Sequence, residues 1–233
     1  MNISGPLCTA SFVDRPNRFL TVVQVNGKKV ESHLPDPGRL NELLLPDVEL
    51  KVRHVPNGTA TQRKTEWTTV MVKSKNEWVS IDSTLPNRFV NNLLKTNQLP
   101  FFEGYTLKKA EVKSGSHRFD FLLEKNGIPF YLEVKSVTLV EDGVAMFPDA
   151  VTERGTRHMT ALSELVKSGN DAGVLFVCQR SDVNSFRPQC ERDPKFAESL
   201  KSAEKTGVRI HVIKAKVTPE SIKYMGEIPY NLN

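Results

Sequence analysis

Two of the chain's three Asn-Gly dipeptides, Asn26-Gly27 and Asn126-Gly127, sit directly between runs of strand-forming residues. Asn-Gly supplies the positive φ angles of a two-residue type I′ turn, whose twist matches that of an antiparallel hairpin. One falls in each half of the chain, which anchors a sheet in each. At 233 residues the chain is too long for one minimal domain and too short for three, so two small domains are predicted.

In the first half, residues 18–25 and 28–34 flank the first turn as strands. Residues 38–44 predict a short helix, and 48–54, 66–73 and 77–82 continue as strands. Five strands with one short helix suit an oligonucleotide-binding (OB) β-barrel. Residues 56–65, polar apart from the charged Arg63 and Lys64, form an exposed loop that reads either as a phosphate contact or as a solvated connection. The pattern changes around Ser83 to Pro86, which divides the chain into domains 1–83 and 84–233.

The second domain opens with a helix over 87–97 that carries Phe89, Val90, Leu93 and Leu94 on one face. Strands follow over 105–113, 117–124 and 128–137, then a helix over 150–167 and a strand over 173–179. Asp193-Pro194 is a helix start, Gly207 its stop, and a strand over 208–216 comes next. The fold class is therefore a two-domain α/β (α+β) protein, with an OB-like barrel before a mixed sheet flanked by helices.

The chemistry concentrates on two of these strands, in Arg118-Phe119-Asp120-Phe121 and Tyr131-Leu132-Glu133-Val134-Lys135. Strand side chains alternate faces, so Glu133 and Lys135 project together and Asp120 meets Glu133 across the hairpin. Two carboxylates brought together by apolar strands repel one another, and a divalent cation relieves the repulsion. Mg2+ or Mn2+ suits such oxygen ligands, with Glu111 on the preceding strand as a third acidic candidate. Lys135 would stand beside the metal, where an ammonium can position water or stabilise charge on a phosphoryl group. This arrangement, within an order of helix, three strands, helix and strand, resembles the PD-(D/E)xK nuclease core. The competing reading is a salt-bridged strand pair in which Lys135 only neutralises a carboxylate.

The helix that follows carries Glu153, Arg154, Arg157 and His158. Arg154 and His158, at i and i+4, read as a phosphate-facing surface, or the helix presents a solvated Glu153 to Arg157 pair. Gly155 in its first turns calls for a close backbone approach.

The segments Glu133-Val134-Lys135-Ser136-Val137-Thr138-Leu139 and Phe147-Pro148-Asp149-Ala150-Val151-Thr152-Glu153-Arg154-Gly155 make a longer likeness specific. With Gly38-Arg39, Arg118, Asp120, Asp193 and Gly207-Val208, the chain resembles the bacterial sugar fermentation stimulation protein A family nearly end to end. Two departures stand out: Pro35-Asp36-Pro37-Gly38-Arg39 where the family shows Pro-Asn-Thr-Gly-Arg, and His117 where a Ser often precedes the Arg. The resemblance implies an OB-like domain joined to a PD-(D/E)xK-like domain. It also implies DNA binding without sequence specificity and a regulatory role in sugar, particularly maltose, metabolism. The family's acidic and lysine positions carry over as Asp120, Glu133 and Lys135, with Glu111 matching the acidic residue of the preceding strand.

Charge enters at this point: 32 Lys and Arg against 27 Asp and Glu leave a net +5, which suits a polyanionic partner. Arg39, Arg53, Arg63, Lys64, Arg154 and Arg157 are the candidate phosphate contacts. The alternative is a Mg2+- or Mn2+-dependent nuclease acting through Asp120, Glu133 and Lys135, and a third reading is an interaction scaffold. Trp67 and Trp78 read as barrel residues rather than stacking platforms. Three widely spaced cysteines, Cys8, Cys178 and Cys190, point to a reducing cytosol, and no apolar run reaches the length of a membrane span.

Overall fold

The computed structural model describes residues 1–55 and 64–233, so Arg63 and residues 56–62 of the predicted loop lie outside the described residues. The chain divides into two units. The first comprises Met1–Leu85, Gln179–Asp182 and Ala215–Met225, and the second Pro86–Cys178, Val183–Lys214 and Gly226–Asn233.

The first unit contains β1 (Leu7–Asn17), β2 (Leu20–Val25), β3 (Lys28–His33), β4 (Glu49–His54), β5 (Trp67–Ser74) and β6 (Glu77–Ser80). Antiparallel pairing runs β3-β2-β1-β4-β5, and a short parallel contact between β3 and β5, Ser32 to Trp67 and His33 to Thr68, closes these five into an OB barrel. Asn26 and Gly27 both take positive φ, 50° and 78°, as the type I′ turn between β2 and β3 requires. Phe12, Val23, Leu34, Leu50, Val72 and Ile81 fill the interior. At the seam, the buried Thr69 hydroxyl shares hydrogen bonds of 2.8 Å with both Thr21 and Ser32, so these polar groups are buried with partners.

Three expectations for this unit need correction. The barrel begins with β1, absent from the sequence reading because its alternation is interrupted by register shifts between Phe12 and Asp14 and between Asp14 and Asn17. The strand predicted over 77–82 is β6, a hairpin partner of β5 outside the closed ring. The predicted helix over 38–44 is a single turn in which the Leu43 and Leu44 N–H groups donate to the Leu40 carbonyl, with all three leucines buried.

The two later segments of this unit join it by hydrogen bonds. The Ile3 N–H donates to the Glu220 carbonyl at 2.9 Å, the Ser80 N–H donates to the Gln179 carbonyl at 3.4 Å, and Lys216 Nζ lies 2.8 Å from Glu77 Oε1.

The second unit is built on α1 (Leu85–Lys95), β7 (Thr106–Ser114), β8 (His117–Lys125), β9 (Ile128–Val137), β10 (Val140–Glu141), β11 (Val144–Phe147), α2 (Glu153–Lys167), β12 (Asp171–Cys178), β13 (Ser185–Pro188), α3 (Pro194–Thr206) and most of β14 (Arg209–Val217), whose end, with most of β15 (Ile222–Glu227), belongs to the Ala215–Met225 segment of the first unit. Its main sheet has the order β15-β14-β12-β9-β8-β7, antiparallel from β7 to β9 and parallel from β9 through β12 to β14. A parallel step needs a crossover, and α2 supplies the one from β9 to β12. This is a mixed sheet flanked by helices, in the predicted order of helix, three strands, helix and strand. A second sheet, β10-β11-β13, was not predicted, nor was the edge strand β15.

The predicted face of α1 is buried, with Phe89, Val90, Leu93 and Leu94 all against the interior. Asp193 caps α3 through Oδ1, which accepts the Phe196 N–H at 3.0 Å, and its Oδ2 accepts the Thr152 N–H at 2.8 Å. One carboxylate thus fixes the starts of both α2 and α3. Gly207, in the left-handed region at φ 104°, ends α3.

Candidate functional site

The β8 to β9 ladder stops at Phe121 opposite Leu132. At the next position the Asp120 side chain replaces the main chain: its Oδ2 accepts the Val134 N–H at 2.7 Å. Its Oδ1 accepts from Asn87 Nδ2 of α1 at 2.5 Å. Beyond Leu132, β9 continues beside β12, with Glu133 opposite Val174 and Lys135 opposite Phe176. β8 and β9 therefore part where Asp120 and Glu133 stand, while β12 keeps β9 in place.

Glu133 is 3% exposed, and its Oε1 takes two donors. One is Lys135 Nζ at 2.6 Å, and the other is the Nδ1–H of His158, which reaches in from α2. Its other oxygen, Oε2, is buried and has no hydrogen-bond partner among the described residues.

The two carboxyls are driven in opposite directions. Burial and the Glu133 charge push Asp120 up to about 6, against the Val134 N–H, Lys135 and Asn87, which favour its charged form. Burial also pulls Glu133 upward, but His158 and Lys135 together outweigh it and hold the carboxyl below its ordinary range. Glu133 loses its proton first as pH rises, and Asp120 is the one that gains most from an added positive charge.

A buried carboxylate oxygen without a partner costs about 1–3 kcal/mol, and a bound ion is one of the few things that removes the cost. The donor set is all oxygen, which suits a hard divalent cation that keeps waters or takes phosphate oxygens for its remaining positions. The residues present therefore fit such an ion, which Glu133 Oε2 and the Asp120 carboxylate would hold.

Glu111 does not join them. It sits on β7 at φ 53°, and its side chain, 73% exposed, lies 3.9 Å from Arg118. Among the described residues no group of three or more His, Cys, Asp or Glu side chains converges on a metal position. The left-handed backbone at 111 turns the carboxylate to solvent, a turn that nothing in a Glu within a strand pattern announces.

The basic residues scatter. Arg154 is exposed, and Arg157 pairs with Glu153 at 3.6 Å, both side chains mostly in solvent. His158 is buried on Glu133, so it does not share an exposed face with Arg154. Arg39 is exposed, its carbonyl held by the Arg15 guanidinium. Arg53 is half-buried, its Nε donating to the Ser4 carbonyl at 3.0 Å, and Lys64 is exposed.

The sequence reading missed His158 and Asn87 as partners of the acidic pair. His158 carried a usable signal: Gly155, His158, Met159 and Leu162 form the apolar stripe of α2, and a histidine on such a stripe must find a polar partner. Asn87 carried none.

A family model described as the sugar fermentation stimulation protein RE domain matches residues 84–221. Another, described as the SfsA N-terminal OB domain, matches residues 13–81. A sugar fermentation stimulation protein homolog of Moorella thermoacetica is 40% identical over 233 residues, which span 100% of both chains. One from Clostridium kluyveri is 41% identical over 224 residues, 96% of each. Among solved structures, Pyrococcus furiosus SfsA in complex with Ca2+ superimposes with a TM-score of 0.89 at 30% identity, over 99% of this chain and 98% of that one.

Proposed function

Because the chain belongs to the sugar fermentation stimulation protein family, we propose that it binds DNA without reading base sequence and holds Mg2+ or Mn2+ on Asp120 and Glu133. The observation that carries the metal is the buried, partnerless Oε2 of Glu133 beside a carboxyl that Glu133 itself disfavours ionising. The Ca2+ named with the Pyrococcus relative supports an oxygen-seeking dication in this family. DNA binding is supported by the net charge of +5 and by the exposed Arg39, Lys64 and Arg154. Regulation of sugar, particularly maltose, metabolism in the cytosol belongs to the proposal on family membership alone.

A bound cation would neutralise the two carboxylates and offer Lewis-acid stabilisation to a phosphodiester oxygen. The chain's own part is to hold that position. Asn87 and the Val134 N–H fix Asp120, and Lys135 and His158, the latter from α2, fix Glu133. Hydrolysis is the second reading, and Lys135 favours it. Its ammonium, 2.6 Å from Glu133 and only 12% exposed, is placed to steady charge that develops on a phosphoryl group.

The test compares the wild type with an Asp120→Asn, Glu133→Gln double variant on labelled DNA of unrelated sequences. Binding is read in chelator across a salt series, and cleavage after Mn2+ is added. Salt-sensitive binding in both proteins and calorimetric Mn2+ uptake by the wild type alone are expected. Absence of Mn2+ uptake in the wild type removes the metal, and Mn2+-dependent cleavage lost in the variant promotes the second reading over the first.

A further inference from the structure

We infer that His117 and His158 form a second metal position, for a nitrogen-seeking dication such as Zn2+, beside the carboxylate pair and distinct from it. The two imidazoles come from β8 and α2, and their ring centres lie 6.4 Å apart with the planes at 81°. Neither His117 nor the second nitrogen of His158 takes part in holding the acidic pair.

His158 has its tautomer set by Glu133. An ionised carboxylate only accepts, so Nδ1, which faces it, carries the hydrogen, and in the neutral imidazole the lone pair is left on Nε2. The side chain is 7% exposed, and Nε2 has no hydrogen-bond partner among the described residues. A buried acceptor in that state calls for a ligand. The order carboxylate, histidine, metal is how proteins orient imidazole ligands, because the carboxylate fixes the ring and raises the basicity of the free nitrogen.

His117 supplies the second nitrogen. It opens β8 opposite Ser114 and is half-buried, and its ring makes no hydrogen bond or ion pair among the described residues. The buried Phe119 contacts both imidazoles, its ring centre 6.3 Å from that of His117 and 6.1 Å from that of His158. Nitrogens turned toward each other from centres 6.4 Å apart would be separated by about 4 Å. That is beyond the ~3 Å of a hydrogen bond and close to the sum of two metal–nitrogen bonds of about 2.1 Å. A tetrahedral ion draws the nitrogens slightly closer, which a half-buried side chain at a strand end can follow.

Imidazole suits Zn2+ rather than Mg2+, and Mn2+ stands well below Zn2+ in affinity for such donors. No third His, Cys, Asp or Glu joins the two among the described residues, so the remaining positions go to water or to an oxygen anion. Glu133 links the two metal positions, to this one through Oε1 and His158 and to the carboxylate one through Oε2.

The test is calorimetric titration of Zn2+ into the full chain in an Asp120→Asn background, which breaks up the acidic pair as a zinc ligand. It is repeated with His117→Gln added, melting temperatures are taken for both, and imidazole nitrogen NMR follows the five histidines. Asp120→Asn is expected to take up a single equivalent of Zn2+ that moves the ring signals of His117 and His158 alone. Adding His117→Gln should weaken that uptake at least about tenfold, the lower bound for even an orienting partner, with the melting temperature unchanged. In the otherwise wild-type chain, His117→Gln should leave Mn2+ affinity as it was. Zn2+ uptake indifferent to His117, movement of other imidazoles instead, or Zn2+ uptake abolished by Asp120→Asn alone would overturn the inference. A wild type that takes Zn2+ on these imidazoles and no Mn2+ upholds it and removes the carboxylate metal, so the two readings fail separately.

Discussion

The Nδ1–H of His158 donates to Oε1 of Glu133, a contact between residues 25 positions apart that ties α2 to the central strand β9. With Lys135 on the same oxygen, the carboxylate is held so that Oε2 alone faces away from its partners. Groups that orient a metal ligand in this way are worth about 10- to 100-fold in metal affinity. His158→Ala should therefore weaken Mn2+ binding by that factor in calorimetry, with the far-ultraviolet circular dichroism of the wild type retained. Undiminished Mn2+ affinity would show that Glu133 does not need the histidine.

Asp120 makes the metal-free protein less stable as pH rises. Its native pKa of about 6 lies above its unfolded value, so between about 4 and 6 the native state holds the extra proton and stability falls with increasing pH. Roughly 2–3 kcal/mol should be lost across that window. In EDTA, Asp120→Asn should abolish this slope and be more stable than the wild type at pH 7, since the Asn87 amide can turn to present its oxygen. Saturating Mn2+ should return the wild type to the variant's level or above it. Urea midpoints at pH 4.5 and 7 measure both effects.

Gly155 is required by space. A Cβ there would lie 2.7 Å from Thr152 Cγ2 and 3.1 Å from both Phe196 Cδ2 and Thr152 Oγ1. Thr152 is the N-cap of α2, and its Oγ1 accepts the Gly155 N–H at 3.0 Å. Gly155→Ala should cost about 1–3 kcal/mol net in urea denaturation, although alanine is the better helix former by up to about 1 kcal/mol.

The phosphate contacts should show themselves in salt dependence. Removing one cation that touches phosphate lowers the slope of log K against log salt by about one. Arg39→Ala and Arg154→Ala should each do so on duplex DNA, while Arg157→Ala, whose guanidinium already faces Glu153, should change the slope less. A slope indifferent to Arg39 and Arg154 would remove both from the interface.

What could be read from the sequence was local chemistry with a fixed geometry. The Asn26-Gly27 turn, the Asp193-Pro194 start and the Gly207 stop each depend on one or two residues, and each sits where the residue types demanded. Asp120 and Glu133 came together because strand alternation and one hairpin turn suffice to place them. Glu111 failed because a single left-handed residue reverses what alternation implies. β1 was hidden by its register shifts, and β15 by a tail whose strand character comes from the edge it joins. His158 could have been found from its place on a buried stripe, whereas Asn87 is recognisable only once α1 is seen beside β8.

The first unit draws on three separate stretches of chain, the last of them Ala215–Met225. Its N-terminal strands therefore leave the ribosome long before the residues that complete the unit have been translated. Loop closure over so long a separation is slow, and open edges meanwhile invite wrong pairing. A fragment ended at Leu85 would leave out Gln179–Asp182 and Ala215–Met225, together with the hydrogen bonds they make to Ile3, Glu77 and Ser80. Completion of this unit thus waits for Ala215–Met225, and truncations that remove this segment should harm the barrel as surely as loss of its first strands.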